Sequence, residues 1–384
     1  MLISAARIVP ATGGVLEPGY LEYEDDKITA VGSGPSPRRP DFELEDGYLL
    51  PGLVDLQVNG YFGVELGDAE PDGWQTVSMR LPETGATAFM PTFITSPVPR
   101  TTAALRRAAS FAPGLEGGAR VLGVHLEGPF ISQKRRGAHN PAWITDPDHD
   151  TIEAYLEAGA GLVAMMTLAP ELDGATEAIK QLTAAGVVAS VGHSDATAAQ
   201  VSAAAANGAR SVTHLFNAQR PLHHREPGVV GQALTDNRLV SGLIADMHHV
   251  TGPVVALAFA AAPGRIFLVT DAAACAGMAP GKYILGDQPI ELSDADGSPP
   301  VREDGTLAGS ALRMDVAVAN AVAAGVSVPD AVASASRIPA DLIGRPDLGR
   351  LKPGAAADLT WVSDEFRARA TWVGGQPVYR GGLR

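Results

Sequence analysis

The chain has 384 residues, and 29 basic against 43 acidic side chains leave it with a formal charge of −14 and a pI near 5.0. No face rich in lysine or arginine can be read from it, so nucleic acid and anionic membranes are poor partners. One cysteine, Cys275, rules out a disulfide framework within the chain and a cysteine-based zinc finger, and a small packed thiol is the expected role for it. Hydrophobic residues at 46% and charged residues at 19% are ordinary for a globular enzyme with a large core.

Residues 1–10 lack a basic segment followed by a long apolar one, so they do not read as a signal peptide. The most apolar helical stretch, 254–262, is cut by Pro263-Gly264 before it could span a bilayer. A cytoplasmic protein is expected. The first 48 or so residues alternate short strand patterns (2–4, 19–23, 28–31) with Pro/Gly turns, and 35–40 is a loop. After Gly344 the β pattern returns at 358–362 and 370–373. The two ends of the chain should therefore pair into one small β-sandwich domain, residues 1–50 plus 346–384, beside a central domain of residues 51–345.

That central part carries eight apolar strand candidates, at 49–58, 86–95, 120–126, 162–168, 187–192, 211–214, 240–246 and 265–271. Most are separated by helical patterns; that of 197–206 stops at Asn207-Gly208. Eight such units predict an α/β fold, a (β/α)8 TIM-like barrel. An open doubly wound sheet is the alternative, but no G-x-G-x-x-G follows a strand.

Several of these strands end on chemistry. Glu127, His193, His214, the pair His248-His249 and Asp271 all stand at the C-terminal ends of successive strands, where barrel enzymes place their sites. One carboxylate and two imidazoles, Glu127, His193 and His214, suit a divalent ion such as zinc and leave a position open for water. Singly, each has a plain explanation: Glu127 could shape a turn, and a strand-end histidine is commonly a satisfied core residue. Asp271 is the candidate general base, with the capping of a helix beginning at Ala272 as its plain alternative. His249 could polarise a carbonyl or bind an anion, and by composition His248 would serve as well. Arg225 lies in a loop expected over the barrel mouth, where a guanidinium suits a phosphate; a solvated surface arginine is equally compatible. Lys134-Arg135-Arg136 reads as an exposed loop.

Taken together, Pro51-Gly52-Leu53-Val54-Asp55, His125-Leu126-Glu127-Gly128-Pro129-Phe130, Gly192-His193-Ser194-Asp195-Ala196, Thr213-His214-Leu215-Phe216-Asn217-Ala218, Arg225-Glu226-Pro227-Gly228, Val269-Thr270-Asp271-Ala272 and Leu307-Ala308-Gly309-Ser310 resemble the N-acetylglucosamine-6-phosphate deacetylases of the amidohydrolase superfamily over nearly the whole chain. The resemblance implies one divalent metal ion per subunit on Glu127, His193 and His214, zinc first, with iron, cobalt or manganese as other candidates. It makes Asp271 the acid/base and favours His249, ahead of Val250, as the substrate-facing histidine. It places Ala138-His139, Asn217-Ala218, Arg225 and Leu307-Ala308-Gly309 around the phosphorylated amino sugar. It also implies a homodimer with loops near the phosphate site close to the subunit contact. The implied reaction, in amino-sugar catabolism, converts N-acetylglucosamine 6-phosphate to glucosamine 6-phosphate and acetate. On that reading His249 helps polarise the amide, while His139 and Arg225 anchor the far end of the sugar.

The rivals are the galactosamine epimer, another amidohydrolase activity, and a non-catalytic barrel scaffold; the complete set of Glu127, His193, His214 and Asp271 speaks against the scaffold. Three departures stand out. Gln57-Val58-Asn59 occupies the place of a His-x-His motif, and 162–171 contains no lysine to bridge two ions, so a single ion is expected with Gln57 only lining the site. Gln219 stands where the family usually has methionine. Residues 287–300 carry no readable motif.

Overall fold

The computed structural model describes residues 1–293 and 298–383. Its centre is a parallel barrel. The strands Leu53–Val58, Ala86–Ile94, Val124–Glu127, Val163–Leu168, Val188–Val191, Ser211–Val212, Val240–Leu243 and Ile266–Leu268 pair with their neighbours in chain order. They are apolar almost throughout because one face packs into the barrel and the other against the helices: all nine residues of Ala86–Ile94 are buried. The seam between first and last strands closes through isolated bonds rather than a ladder. The Asp271 N–H donates to the Gln57 carbonyl at 2.9 Å, the Asn59 N–H to that of Ala272 at 2.8 Å, and the Thr270 hydroxyl to Asp55 at 2.6 Å. The barrel expected from the sequence is the one observed.

Two expected strands are each divided in the structure, both at glycine. In 49–58, Tyr48–Pro51 joins the small sheet and Leu53–Val58 the barrel. The break falls at Gly52, where a β-carbon would lie 2.1 Å from the Thr87 hydroxyl, so only glycine lets the chain cross so near the second strand. In 120–126 the pieces Arg120–Val121 and Val124–Glu127 are parted at Gly123, whose φ of +123° no side-chain-bearing residue adopts easily. The helix Ala198–Ala206 starts on a capping box between Thr197 and Gln200 and ends at Asn207. No helix starts at Ala272, so the expected capping role of Asp271 falls: Ala272 bridges Val58 and Ser310 instead, and a hairpin (Gly281–Leu285, Gln288–Leu292) precedes the next helix among the described residues, Met314–Ala323. Among the described residues no helix is long and apolar enough to cross a membrane.

The chain ends form two four-stranded sheets. One holds Leu2–Ala5, Gly19–Glu24, Lys27–Ser33 and Phe42–Leu44; the other sets Tyr48–Pro51 beside Leu359–Val362, Ala368–Val373 and Gln376–Tyr379. Ile3, Leu21, Ile28, Leu49, Leu359 and Trp372 share one apolar core separate from that of the barrel. Arg120, on a barrel strand, joins this layer through paired 3.1 Å bonds to Asp358, whose carboxylate is 2% exposed. Removing the guanidinium would leave that carboxylate with the Gly374 N–H. We expect Arg120→Ala to lose about 2 kcal/mol, read as a lower urea midpoint at unchanged slope. An unmoved midpoint would mean that water replaces the arginine.

Candidate active site

Four strand ends deliver the chemistry to one cleft. Glu127 is the last residue of the third strand, His193 follows the fifth by two residues, His214 the sixth by two, and Asp271 the eighth by three. His193, His214 and Asp271 all adopt left-handed backbone, with φ of +46°, +28° and +52°. That conformation is costly for residues with side chains and clusters where function demands it. It turns each side chain inward as the chain leaves its strand. Gly192 permits the turn at His193, because a β-carbon there would come within 2.6 Å of Thr167 and 2.8 Å of Thr213.

The three proposed ligands converge. Glu127 Oε1 lies 2.9 Å from His214 Nε2 and 3.3 Å from His193 Nε2, and the two nitrogens are 3.1 Å apart. The other nitrogen of His193 faces the Arg135 carbonyl at 3.0 Å, a contact only an N–H can make. With Nδ1 committed there, Nε2 is the nitrogen left to face Glu127 and a cation beside it. Burial alone would raise the Glu127 carboxyl, but the two rings against it overrule burial and hold it well below the usual carboxylate range. A buried anion with two inward imidazoles fits a divalent ion.

Asp271 stands beside this group. Its Oδ1 accepts from Asn59 Nδ2 at 2.7 Å and Gln57 Nε2 at 3.1 Å, and the same Gln57 nitrogen donates to Glu127 Oε1 at 3.0 Å. Burial, then the Glu127 charge, push the Asp271 carboxyl up to about 6. Gln57, expected only to line the site, is the brace between its two carboxylates.

The cleft has a cavity volume of about 200 Å³ and is open to solvent. Of the residues expected around the sugar, Ala138, Asn217, Ala218, His249, Leu307 and Gly309 line it, while Ala308 is buried behind. His249 is separated from His248 by burial and by a partner: His248 is exposed, whereas the His249 ring meets Asp246 at 2.6 Å. Asp246 also accepts the backbone N–H groups of both, and these contacts hold it below its ordinary range although burial would raise it. Asp246 was missed in the sequence; its place three residues before His249 was the available signal.

Two expected residues are not where they were sought. His139 does not mark the far end of the cleft. Its Nε2 is 3.9 Å from Glu127 Oε2, its ring centroid 4.4 Å from that of His193, and Thr95 holds its Nδ1 at 2.8 Å. It is a further donor within 4.8 Å of Glu127 and His193 at the metal end, where burial, then His193, push its pKa down to about 3. Arg225 does not reach the cleft of its own chain. It is exposed and packs on His224 at 2.9 Å. No lysine or arginine lines the cleft among the described residues. Gln219 is turned away from it, bonded to the Thr213 carbonyl at 2.8 Å and the Phe216 N–H at 3.1 Å, and so braces the loop after His214. Cys275 is buried, with its thiol pushed up to about 11 by burial, as a packed thiol should be.

Residues 48–378 match the amidohydrolase family. The chain belongs to that family. The N-acetylglucosamine-6-phosphate deacetylase of Danio rerio is 37% identical over 381 residues, covering 96% of this chain and 91% of the relative. The N-acetylgalactosamine-6-phosphate deacetylase of Escherichia coli O157:H7 is 36% identical over 374 residues, 97% of both. A mutant N-acetyl-D-glucosamine-6-phosphate deacetylase from Mycobacterium smegmatis, in complex with N-acetyl-D-glucosamine-6-phosphate, has a TM-score of 0.94 at 35% identity over 99% of each chain. Family membership makes the chain a hydrolase of amides, and a buried cluster able to hold a metal, Glu127, His139 and His193, agrees with it.

The donor set predicts how many ions are held. Beyond Glu127, His193 and His214, the site adds the His139 imidazole at the same end, while the first strand offers only the amides of Gln57 and Asn59, feeble ligands for a borderline-soft cation, so donors for a second ion are few. Protein dialysed against metal-free buffer should retain close to one equivalent per chain by elemental analysis. Two equivalents, both needed for activity, would refute the single-ion site.

Proposed function

We propose that this chain hydrolyses the N-acetyl group of N-acetyl-D-glucosamine 6-phosphate, releasing acetate and D-glucosamine 6-phosphate. The observation that carries the reading is the convergence of Glu127, His193 and His214 beside a separately held Asp271. The names of the relatives over nearly the full chain give the substrate class. The galactosamine epimer stays as a second reading, because a relative of that name is similar over 97% of both chains.

Glu127, His193 and His214 would hold one divalent ion, which we assign as zinc. Bound there, the ion supplies Lewis acidity, polarising the amide carbonyl and making water more acidic. Asp271 Oδ1 is engaged by Gln57 and Asn59, so Oδ2 is the atom that handles protons. With its pKa near 6 the carboxylate is ionised at neutral pH yet basic enough to accept one. As the water oxygen bonds to the carbonyl carbon, Oδ2 takes a proton. As the carbon–nitrogen bond breaks, Oδ2 returns that proton to the nitrogen.

His139 takes the polarising place first given to His249, since it stands against Glu127 and His193. His249, steadied by Asp246, joins Asn217 and Ala218 at the phosphate end. A phosphate there gains from a cation the cleft does not itself supply. We therefore keep the homodimer, with Arg225 reaching toward the phosphate of the neighbouring subunit. A cytoplasmic enzyme with a domain boundary near residues 50 and 345 completes the proposal.

Acetate release measured on both epimeric sugar 6-phosphates tests the substrate. Asp271→Asn should keep fold, metal and substrate binding but lose about 10³-fold in kcat, since an amide cannot shuttle the proton. Near wild-type turnover would remove Asp271 from the mechanism. Arg225→Ala should lower kcat/KM for the phosphorylated substrate by about tenfold or more and leave N-acetylglucosamine itself nearly untouched. Equal losses on the two would refute the phosphate contact.

A further inference from the structure

Asn59 is held on three sides. Its backbone N–H donates to the Ala272 carbonyl at 2.8 Å and its carbonyl accepts from the Leu66 N–H at 2.9 Å. Its side-chain nitrogen donates to Asp271 Oδ1 at 2.7 Å. The Asp271 carboxylate accepts hydrogen bonds, so the amide must present its nitrogen there and turn its oxygen the other way. That oxygen, on a residue 1% exposed, has no hydrogen-bond partner among the described residues, and Asn59 lines the cleft. A buried carbonyl oxygen left unpaired is costly, so the site is shaped to receive a donor from what binds there.

Resting on the deacetylase reading above, we propose that Asn59 Oδ1 accepts the N–H of the substrate's scissile amide. The placement follows from Asp271. A proton returned by Asp271 Oδ2 must reach the amide nitrogen, which brings that nitrogen beside the carboxylate that Asn59 grips. A secondary amide has one N–H. Bonding it to Asn59 fixes rotation about the nitrogen, so that the lone pair developing as the carbonyl carbon becomes tetrahedral faces Asp271 instead of the cleft wall. Asn59 is then a specificity-determining residue: it selects a secondary amide over an ester or a tertiary amide, neither of which has a hydrogen to give. Gln57 differs, because its nitrogen is spent on Glu127 and Asp271 and it is not among the residues lining the cleft.

The test pairs a protein change with a substrate change, on holoenzyme at defined zinc. N-acetyl-D-glucosamine 6-phosphate is compared with 2-O-acetyl-D-glucose 6-phosphate, in which oxygen replaces the N–H. Asn59→Ala removes both the grip on Asp271, which serves both substrates, and the acceptor, which serves only the amide. Its kcat/KM on the amide should therefore fall about tenfold further than on the ester. Should the variant fail to fold, the wild-type enzyme alone decides, with a KM for the ester expected about tenfold above that for the amide. Equal losses on both substrates, or equal KM values in the wild type, would overturn the proposal and leave Asn59 acting through Asp271 alone. Two metal equivalents falling to one in Asn59→Ala would also overturn it, by placing a cation on Oδ1. A wild-type enzyme that releases no acetate from either epimeric amino-sugar 6-phosphate would instead defeat the deacetylase reading, and this inference with it.

Discussion

The Glu127 carboxylate organises the molecule's active end. A carboxylate 3% exposed at the mouth of an apolar barrel is tolerable only when surrounding groups replace its water. Three strands meet that demand: Gln57 comes from the first, His193 from beyond the fifth and His214 from beyond the sixth. Asp271 is a second buried acid near the first, raised by burial and then by the Glu127 charge. Gln57 keeps the pair workable, since one amide nitrogen donates to both, at 3.0 and 3.1 Å. Such a group stabilises both anions without titrating, which a histidine at that position would not do.

The same region is also where the barrel closes. Instead of a ladder, the seam between first and last strands has backbone bonds at residues 57, 59, 271 and 272 and the buried Asp55–Thr270 contact. Burial lifts the Asp55 carboxyl to about 7, with the Thr270 hydroxyl and N–H working against it. Asp271 thus stands at a joint, its N–H and carbonyl committed to Gln57 and Ser310 while its side chain projects into the cleft. Left-handed backbone at Asp271, His193 and His214 is a strain that the closed barrel around them sustains.

Much of this was readable from the chain. The eight apolar segments announced the barrel because a parallel sheet covered on both faces has no polar side to show. Residues at strand ends, Glu127, His193, His214 and Asp271, could be placed because a barrel puts every C-terminal strand end at one mouth. What lies in loops was harder. His139 is twelve residues past Glu127, and the loop between them folds back over the mouth so that His139 meets Thr95, just past the end of the second strand, a contact no local pattern encodes. Arg225 is a different case: its motif marks a loop but says nothing of which way the side chain turns, and it packs on His224. The breaks at Gly52 and Gly123 were invisible to hydropathy, since apolar residues run through both and the cause in each case is backbone geometry.

Charge explains the remaining asymmetry of the cleft. Two carboxylates and the imidazoles of His139, His193 and His214 line it together with apolar and small residues such as Ile94, Leu285, Ala138 and Gly309. A lysine placed permanently within the cleft could pair with Asp271 or Glu127 and draw a carboxylate away from its task, as Asp195 does when it gathers Lys134, Arg135 and Arg220 at the surface. His249 avoids that conflict. Asp246 meets its ring and also accepts the backbone N–H groups of 248 and 249, so one carboxylate fixes both the loop and the imidazole it carries. That ring is engaged by a carboxylate of its own at 2.6 Å, a partner distinct from Glu127 and Asp271.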